Sequence, residues 1–293
     1  MLLALSTRWN ASRHKNGEAL IEEILSLGIS HVELSYDLTV DLVPGINKMV
    51  EQGAVGVTSV HNFCPVPMGV SAGHPELFLL TSTDTRERDR AVNHTTRTIE
   101  LAVQCHASSV VVHAGYVDMH KITPKLISLT NRNQATGRPF EKSKMKLMIR
   151  RDRKVQKHLD NLSRSLEKLL VTTEASGVKI ALENLPSWEA VPNETEMEAI
   201  YRRFGSGGVS YWHDIGHGQV RQNLGFIVQQ HWIRKLAHCT AGYHIHDATP
   251  CAYDHLMPPQ GEVNFQALLP LMNPETPFVL EPLPGAPAKD IRT

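Results

Sequence analysis

The feature that most constrains this chain is a regular alternation of short apolar, β-branched runs with longer segments of helical periodicity. The runs fall at Leu2–Ser6, His31–Leu34, Val55–His61, Ser109–His113, Val178–Glu183, Val209–Asp214, Gly242–His246 and Phe278–Glu281. Runs such as VVV before His113 and KIAL before Glu183 show no polar alternation, which suits strands buried on both faces of a parallel sheet. Between them, helical patterns cover Gly17–Leu27, Leu42–Gln52, Arg86–Gln104, a stretch from about Lys142 to Ser176, and Glu194–Phe204. Gly28, Gly53 and Gly177 stand where helix ends are expected. Eight strands alternating with helices predict βαβ units that close into an α/β (β/α)8, or TIM, barrel. A doubly wound open sheet would more often carry a glycine-rich phosphate loop after its first strand, and STRWNAS is not one.

The length, 293 residues, suits one such barrel, and the sequence is read as a single domain over 1–293. Little sequence follows the last strand, so the eighth helix is expected to be short or missing. Two connections exceed ordinary loops and are expected to be long active-site loops, at about 62–84 and about 115–157. The first is rich in Pro and Gly; the second is basic, with 12 Lys or Arg against four acidic residues from Asp118 to Asp160.

Basic and acidic residues balance at 30 each, so no global field draws the chain to nucleic acid or an anionic membrane. No run of 18 apolar residues offers a membrane span. The start, MLLALSTRWNAS, has too short an apolar run and no basic leader, so it reads as a buried first strand rather than a secretory signal. The four cysteines, at 64, 105, 239 and 251, show no tight pairing and read as reduced thiols of a cytoplasmic protein.

Histidine is the unusual residue, with 16 copies, many at the ends of apolar runs. The third strand ends in His61, the fourth in His113, the fifth in Glu183 and the sixth in Asp214. The seventh ends in His244-Ile-His246-Asp247 and the eighth in Glu281. In a barrel these ends converge on one face. Each residue alone has an ordinary reading: a core histidine, a turn cap at Glu183, a helix N-cap at Asp214. Repetition at one topological position is what points to a site. Carboxylates held that close repel, and a divalent cation removes the cost. Mixed carboxylate and imidazole ligation suits Zn, Mn, Fe or Co better than Ca.

The motifs LEN at 182–184, HDIGH at 213–217, HIHD at 244–247, DHLMPPQGE at 254–262 and LEP at 280–282 resemble those of the xylose isomerase-like barrel superfamily. That superfamily holds sugar isomerases, sugar epimerases and endonuclease IV. The resemblance runs over nearly the whole chain. It implies a divalent metal (Mn, Zn, Co, Fe or Mg) held by Glu183, Asp214, His244 and Glu281, with His244 starting an H-x-x-acid motif. It also implies that Asp247 orients the site from behind and that His217 binds substrate. In the epimerases of the superfamily, the two metal-bound glutamates move a proton beside a carbonyl. The endonuclease branch uses more ligands, and His61, His113, His217 and His255 match most of them. The pattern departs at Tyr253, where that branch has an Asp two residues before the late His.

The expected function is therefore a metal-dependent sugar isomerase or epimerase with a sugar-like small-molecule substrate. Catalysis is expected at Glu183 and Glu281, and substrate contact at His217, His61, His113 and Trp188. Two alternatives stay open: an endonuclease IV-like phosphodiesterase at abasic DNA, and a hydrolase or lyase of a small cyclic substrate. A nucleic-acid partner is disfavoured by the zero net charge. Assembly into a homo-oligomer is left open.

Overall fold

The computed structural model describes residues 1–291. Eight parallel strands close into a barrel: β1 (Leu2–Ser6), β2 (His31–Leu34), β3 (Gly56–His61), β4 (Ser109–Val112), β5 (Lys179–Glu183), β6 (Val209–Asp214), β7 (Thr240–Ile245) and β10 (Pro277–Leu280). Neighbours run in the order β1-β10-β7-β6-β5-β4-β3-β2, so β10 takes the eighth staff and closes on β1. A short antiparallel hairpin of β8 (Asp247–Thr249) and β9 (Tyr253–Leu256) stands on the β7 connection. The sequence pattern does not signal it, because YDHL lacks apolar alternation.

Strand parity sets the two faces. Ala4, Val111, Ala181, Trp212 and Val279 pack together in one fully buried cluster. Four of these lie two residues before His113, Glu183, Asp214 and Glu281, so the ligand-type residues share their face. The alternate residues, such as Val110, Val112, Ile180 and Leu182, join the larger core with helical Leu162, Leu166 and Leu169.

The helices are α1 (Gly17–Leu25), α2 (Val43–Glu51), α3 (Thr85–Gln104), α4 (Thr123–Asn131), α5 (Arg138–Ser176), α6 (Glu194–Phe204), α7 (Ile215–Asn223), α8 (Gln229–Leu236), α9 (Phe265–Leu268) and α10 (Ala288–Ile291). Asn193 caps α6 reciprocally with Glu196, and Asp84 caps α3. After β10 the described residues include the four-residue α10.

The expectation of a loop over 115–157 is corrected: α4 and the first half of α5 occupy most of it. Pro124 and Pro139 sit in the first helical turns, where a missing N–H costs nothing. Over 62–84 the chain forms no helix or strand.

Candidate metal centre

Each barrel strand delivers its last inward residue to one end of the barrel, and four carboxylates meet there. Glu33, Glu183, Asp214 and Glu281 are at most 3% exposed. His244, fully buried on β7, lies at their centre. Its Nδ1 is 3.2 Å from Glu183 Oε1, 3.4 Å from Glu281 Oε2 and 3.6 Å from Asp214 Oδ2. Its Nε2 lies 3.0 Å from Glu33 Oε1, and Glu33 also accepts from Ser59 Oγ at 2.7 Å. With Nε2–H donating to Glu33, Nδ1 turns a lone pair towards three carboxylate oxygens. That arrangement is repulsive unless a cation or a proton stands between them. One nitrogen and three carboxylates, with a carboxylate behind the imidazole, form a donor set that fits a divalent transition metal.

Glu183 faces two ways. Its Oε1 belongs to the His244 set, while Oε2 lies 3.2 Å from His61 Nε2 and 3.1 Å from His113 Nε2. His61 Nδ1 donates to the Asn62 carbonyl at 3.1 Å, which leaves Nε2 free to ligate. His61, His113 and Glu183 thus form a second set of ligand-type residues beside the first, each offering one atom within 4.8 Å of the others, which could hold a cation.

Asp214 does two jobs at once. It caps α7, accepting the His217 N–H on Oδ1 at 2.6 Å, and turns Oδ2 to the centre. His217 Nδ1 donates to the Asn184 carbonyl at 3.0 Å, which leaves Nε2 facing the hairpin, 3.9 Å from Asp254. His255, at φ 57°, donates Nδ1–H to the Glu281 carbonyl at 3.1 Å.

Burial alone would push every charge here towards neutrality, but the pairing wins. Despite burial, the neighbouring His113 and His244 hold the Glu183 carboxyl well below its ordinary range, and His217 does the same for Asp214. Against the same burial, Glu183 lifts His113 to about 9 and Asp214 lifts His217 to about 10. Protons on these imidazoles and a divalent cation are alternative ways of meeting one negative charge.

Most of the expected site residues converge: His61, His113, Glu183, Asp214, His217, His244, His255 and Glu281. Trp188 does not join them. It stacks on Phe226 at 4.5 Å, with the Arg151 and Arg221 guanidinium groups within 5.8 Å of its ring. Those arginines pair with Glu196 and Glu194 on α6 and are fully or almost fully buried, so Trp188 packs a helix junction. Asp247 also differs from expectation. Its carboxylate accepts the N–H groups of Ala248, Gly261 and Val263, and so shapes the 257–263 loop rather than a ligand.

Three residues of the site carry no expectation from the sequence, and a fourth, His246, is named there at the end of the seventh strand but given no role. Glu33 stands second to last on β2, with the apolar Leu34 after it. Arg8 follows β1 and lies 3.7 Å from Glu281 Oε1. Glu76, from the 62–84 loop, lies 3.4 Å from His113 Nδ1. His246 bonds Asp214 Oδ2 at 2.9 Å.

Comparison with known proteins follows the same lines. The pattern of a family described as xylose isomerase-like TIM barrel matches residues 21–292. An uncharacterized protein of Methanocaldococcus jannaschii is 25% identical over 268 residues, covering 90% of this chain and 85% of its own. Among solved structures, a D-tagatose 3-epimerase-like protein superposes with TM-score 0.70 at 18% identity, over 99% of this chain and 95% of that one. A 3-keto-D-glucoside 4-epimerase from E. coli gives 0.70 at 15%, over 100% and 96%. The IOLI protein with a bound zinc atom gives 0.61 at 14%, over 97% and 90%.

Proposed function

Because the chain belongs to the xylose isomerase-like TIM-barrel family, we propose that it is a divalent-metal-dependent isomerase or epimerase of a sugar or sugar derivative, acting by proton transfer next to a carbonyl. One observation carries the reading. Glu183 and Glu281 come from β5 and β10, separated by β6 and β7 around the barrel, yet both reach His244 Nδ1, at 3.2 and 3.4 Å. Two carboxylates approaching one centre from well-separated strands can serve opposite faces of a flat substrate. One takes the proton from the carbon beside the carbonyl, and the other returns a proton on the far face. Glu183, Asp214, His244 and Glu281 would hold a divalent cation (Mn, Zn, Co, Fe or Mg), which when bound would supply the Lewis acidity that makes the neighbouring carbon more acidic. His217 and His61 bind substrate hydroxyls through the ring nitrogens their backbone partners leave free, and His113 joins them from between Glu183 and Glu76. The epimerase names of the similar structures and the zinc of the IOLI protein agree with this reading.

A second reading, metal-dependent hydrolysis of a phosphodiester, draws on the pocket of His61, His113 and Glu183, where a second cation could activate water. Against it, three of the basic residues of the 115–157 segment are engaged within the chain. Arg151 pairs with Glu196, Lys144 donates to the Gly225 carbonyl and Lys154 to the Asp118 carbonyl. The test is a chromatographic screen of metal-loaded protein against ketoses, inososes and an abasic oligonucleotide. Interconversion of a sugar is the expected result; metal-dependent nicking with no sugar product would reverse the order of the two readings.

A further inference from the structure

His217, His246 and His255 bring their ring nitrogens within 4.8 Å of one another, which by distance alone suggests another cation. The hydrogen bonds say otherwise. His246 Nδ1 accepts the backbone N–H of His255 at 2.9 Å, so that nitrogen carries no hydrogen. A neutral imidazole has one N–H, which must then be on Nε2. Nε2 lies 2.9 Å from Asp214 Oδ2 and donates to it. A nitrogen that holds its hydrogen in this bond has no lone pair for a metal. The neighbouring corner is taken as well, since Arg8 Nη1 lies 3.5 Å from His255 Nε2 and 3.7 Å from Glu281 Oε1.

We propose that His246 is a positioning residue: it fixes the Asp214 carboxylate for the metal centre and ties it to the β8–β9 hairpin, and it is not itself a ligand. The inference rests on the metal-dependent reading of the site and deepens it. Asp214 is then held on both oxygens, by the His217 N–H on Oδ1 and by His246 on Oδ2. The imidazole has no freedom to turn away. It is fully buried, stacks on the His255 ring at 4.1 Å, and lies against the first turn of α7. A Cβ at Gly216 would stand 2.1 Å from His246 Cε1, so the glycine of HDIGH is there to admit this ring. The hairpin therefore reaches the metal carboxylate in two bonds, from the His255 N–H to Nδ1 and from Nε2–H to Asp214. Placement of a ligating carboxylate by such a donor is worth about 10- to 100-fold in metal affinity.

The test compares wild type, His246→Gln and His246→Phe. Each is stripped with chelator and reloaded with Zn or Co. Bound metal per chain is measured by elemental analysis at saturation, and affinity by competition with a chromophoric chelator. Glutamine keeps an N–H that can reach Asp214 but is a poor metal ligand; phenylalanine keeps the ring and its stacking without a donor. The expected result is an unchanged number of bound ions in both variants, affinity weakened about 10- to 100-fold in His246→Phe, and most of it restored in His246→Gln. Loss of one equivalent in His246→Gln, with the remaining ions held as tightly as in wild type, would make His246 a ligand and overturn the proposal. Wild-type affinity in folded His246→Phe would overturn it too. If His246→Phe fails to fold, as judged by circular dichroism, the glutamine count still decides. A wild-type protein that binds no metal would sink the underlying reading instead, which keeps the two failures apart.

Discussion

Removing the acceptor behind His244 should weaken metal binding while leaving the barrel intact. Glu33 is fully buried and receives Ser59 Oγ at 2.7 Å and His244 Nε2 at 3.0 Å. Glu33→Leu keeps comparable volume but leaves Nε2–H without a partner, so the imidazole loses what fixes both its tautomer and its angle. Loss of such a partner costs about 10- to 100-fold in metal affinity, or about 1.4–2.7 kcal/mol. With metal in fixed excess, the same amount leaves the stability of the loaded protein, which for a domain of this size lowers the melting midpoint by roughly a few degrees. The chelated protein should respond the other way. Glu33→Leu removes one of four crowded carboxylates, and replacing buried charge with packed apolar volume is often neutral or stabilising. Glu33→Gln keeps an oxygen for His244 and should fall between wild type and the leucine variant. The assay is calorimetric melting with and without chelator, together with competition for bound Zn. A gap between loaded and chelated midpoints as wide in Glu33→Leu as in wild type would refute the reasoning.

Three further outcomes follow from the same structure. Glu281→Gln should keep its melting profile in chelator and lose turnover, because the shape survives and the proton acceptor does not; full activity on an identified substrate would remove Glu281 from the reaction. Gly242→Ala should destabilise by about 1–3 kcal/mol, measured by urea unfolding, since its Cβ would stand 2.3 Å from the buried Trp212 ring; an unchanged midpoint would mean that the barrel interior is looser than described. Arg13, His14 and Asn10 overcome a burial penalty and hold the partly exposed Glu23 carboxyl at about 2. Its folded value is depressed, so its contribution is present above the ordinary carboxylate range and is lost as pH falls towards 2. Glu23→Gln should therefore cost at most about 1 kcal/mol at neutral pH and progressively less as pH falls through about 2, and a deficit that does not shrink in acid would contradict the pairing.

Much of this site could be read from the sequence because a parallel strand buried on both faces is a bare apolar run. The polar residue that ends it stands out, as His113, Glu183 and Asp214 do. Glu33 was hidden because Leu34 follows it within the strand, so it read as interior. Helix α4 and the first turn of α5, before Lys142, escaped the sequence reading; Pro124 and Pro139 stand in those first turns, where a helix start and a loop look alike. Helix α7 was hidden by Gly216 and Gly218. Gly216 answers to His246, and a Cβ at Gly218 would stand 2.4 Å from Gln229 Nε2; both are long-range contacts that no local pattern encodes. The same holds for the division of labour between His244 and His246. Two residues apart, at and just past the end of β7, they differ in which nitrogen each turns to its neighbours.

The central claim is that Glu183 and Glu281 exchange a proton beside a carbonyl at a metal-dependent centre. Its most direct measurement is incubation of the metal-loaded protein with candidate ketoses and inososes in heavy water, followed by mass spectrometry and proton NMR. Solvent deuterium should appear at the carbon next to the carbonyl of at least one sugar, and should be lost on chelation and in Glu281→Gln. A product formed without solvent deuterium, or exchange that persists in chelator, would contradict it.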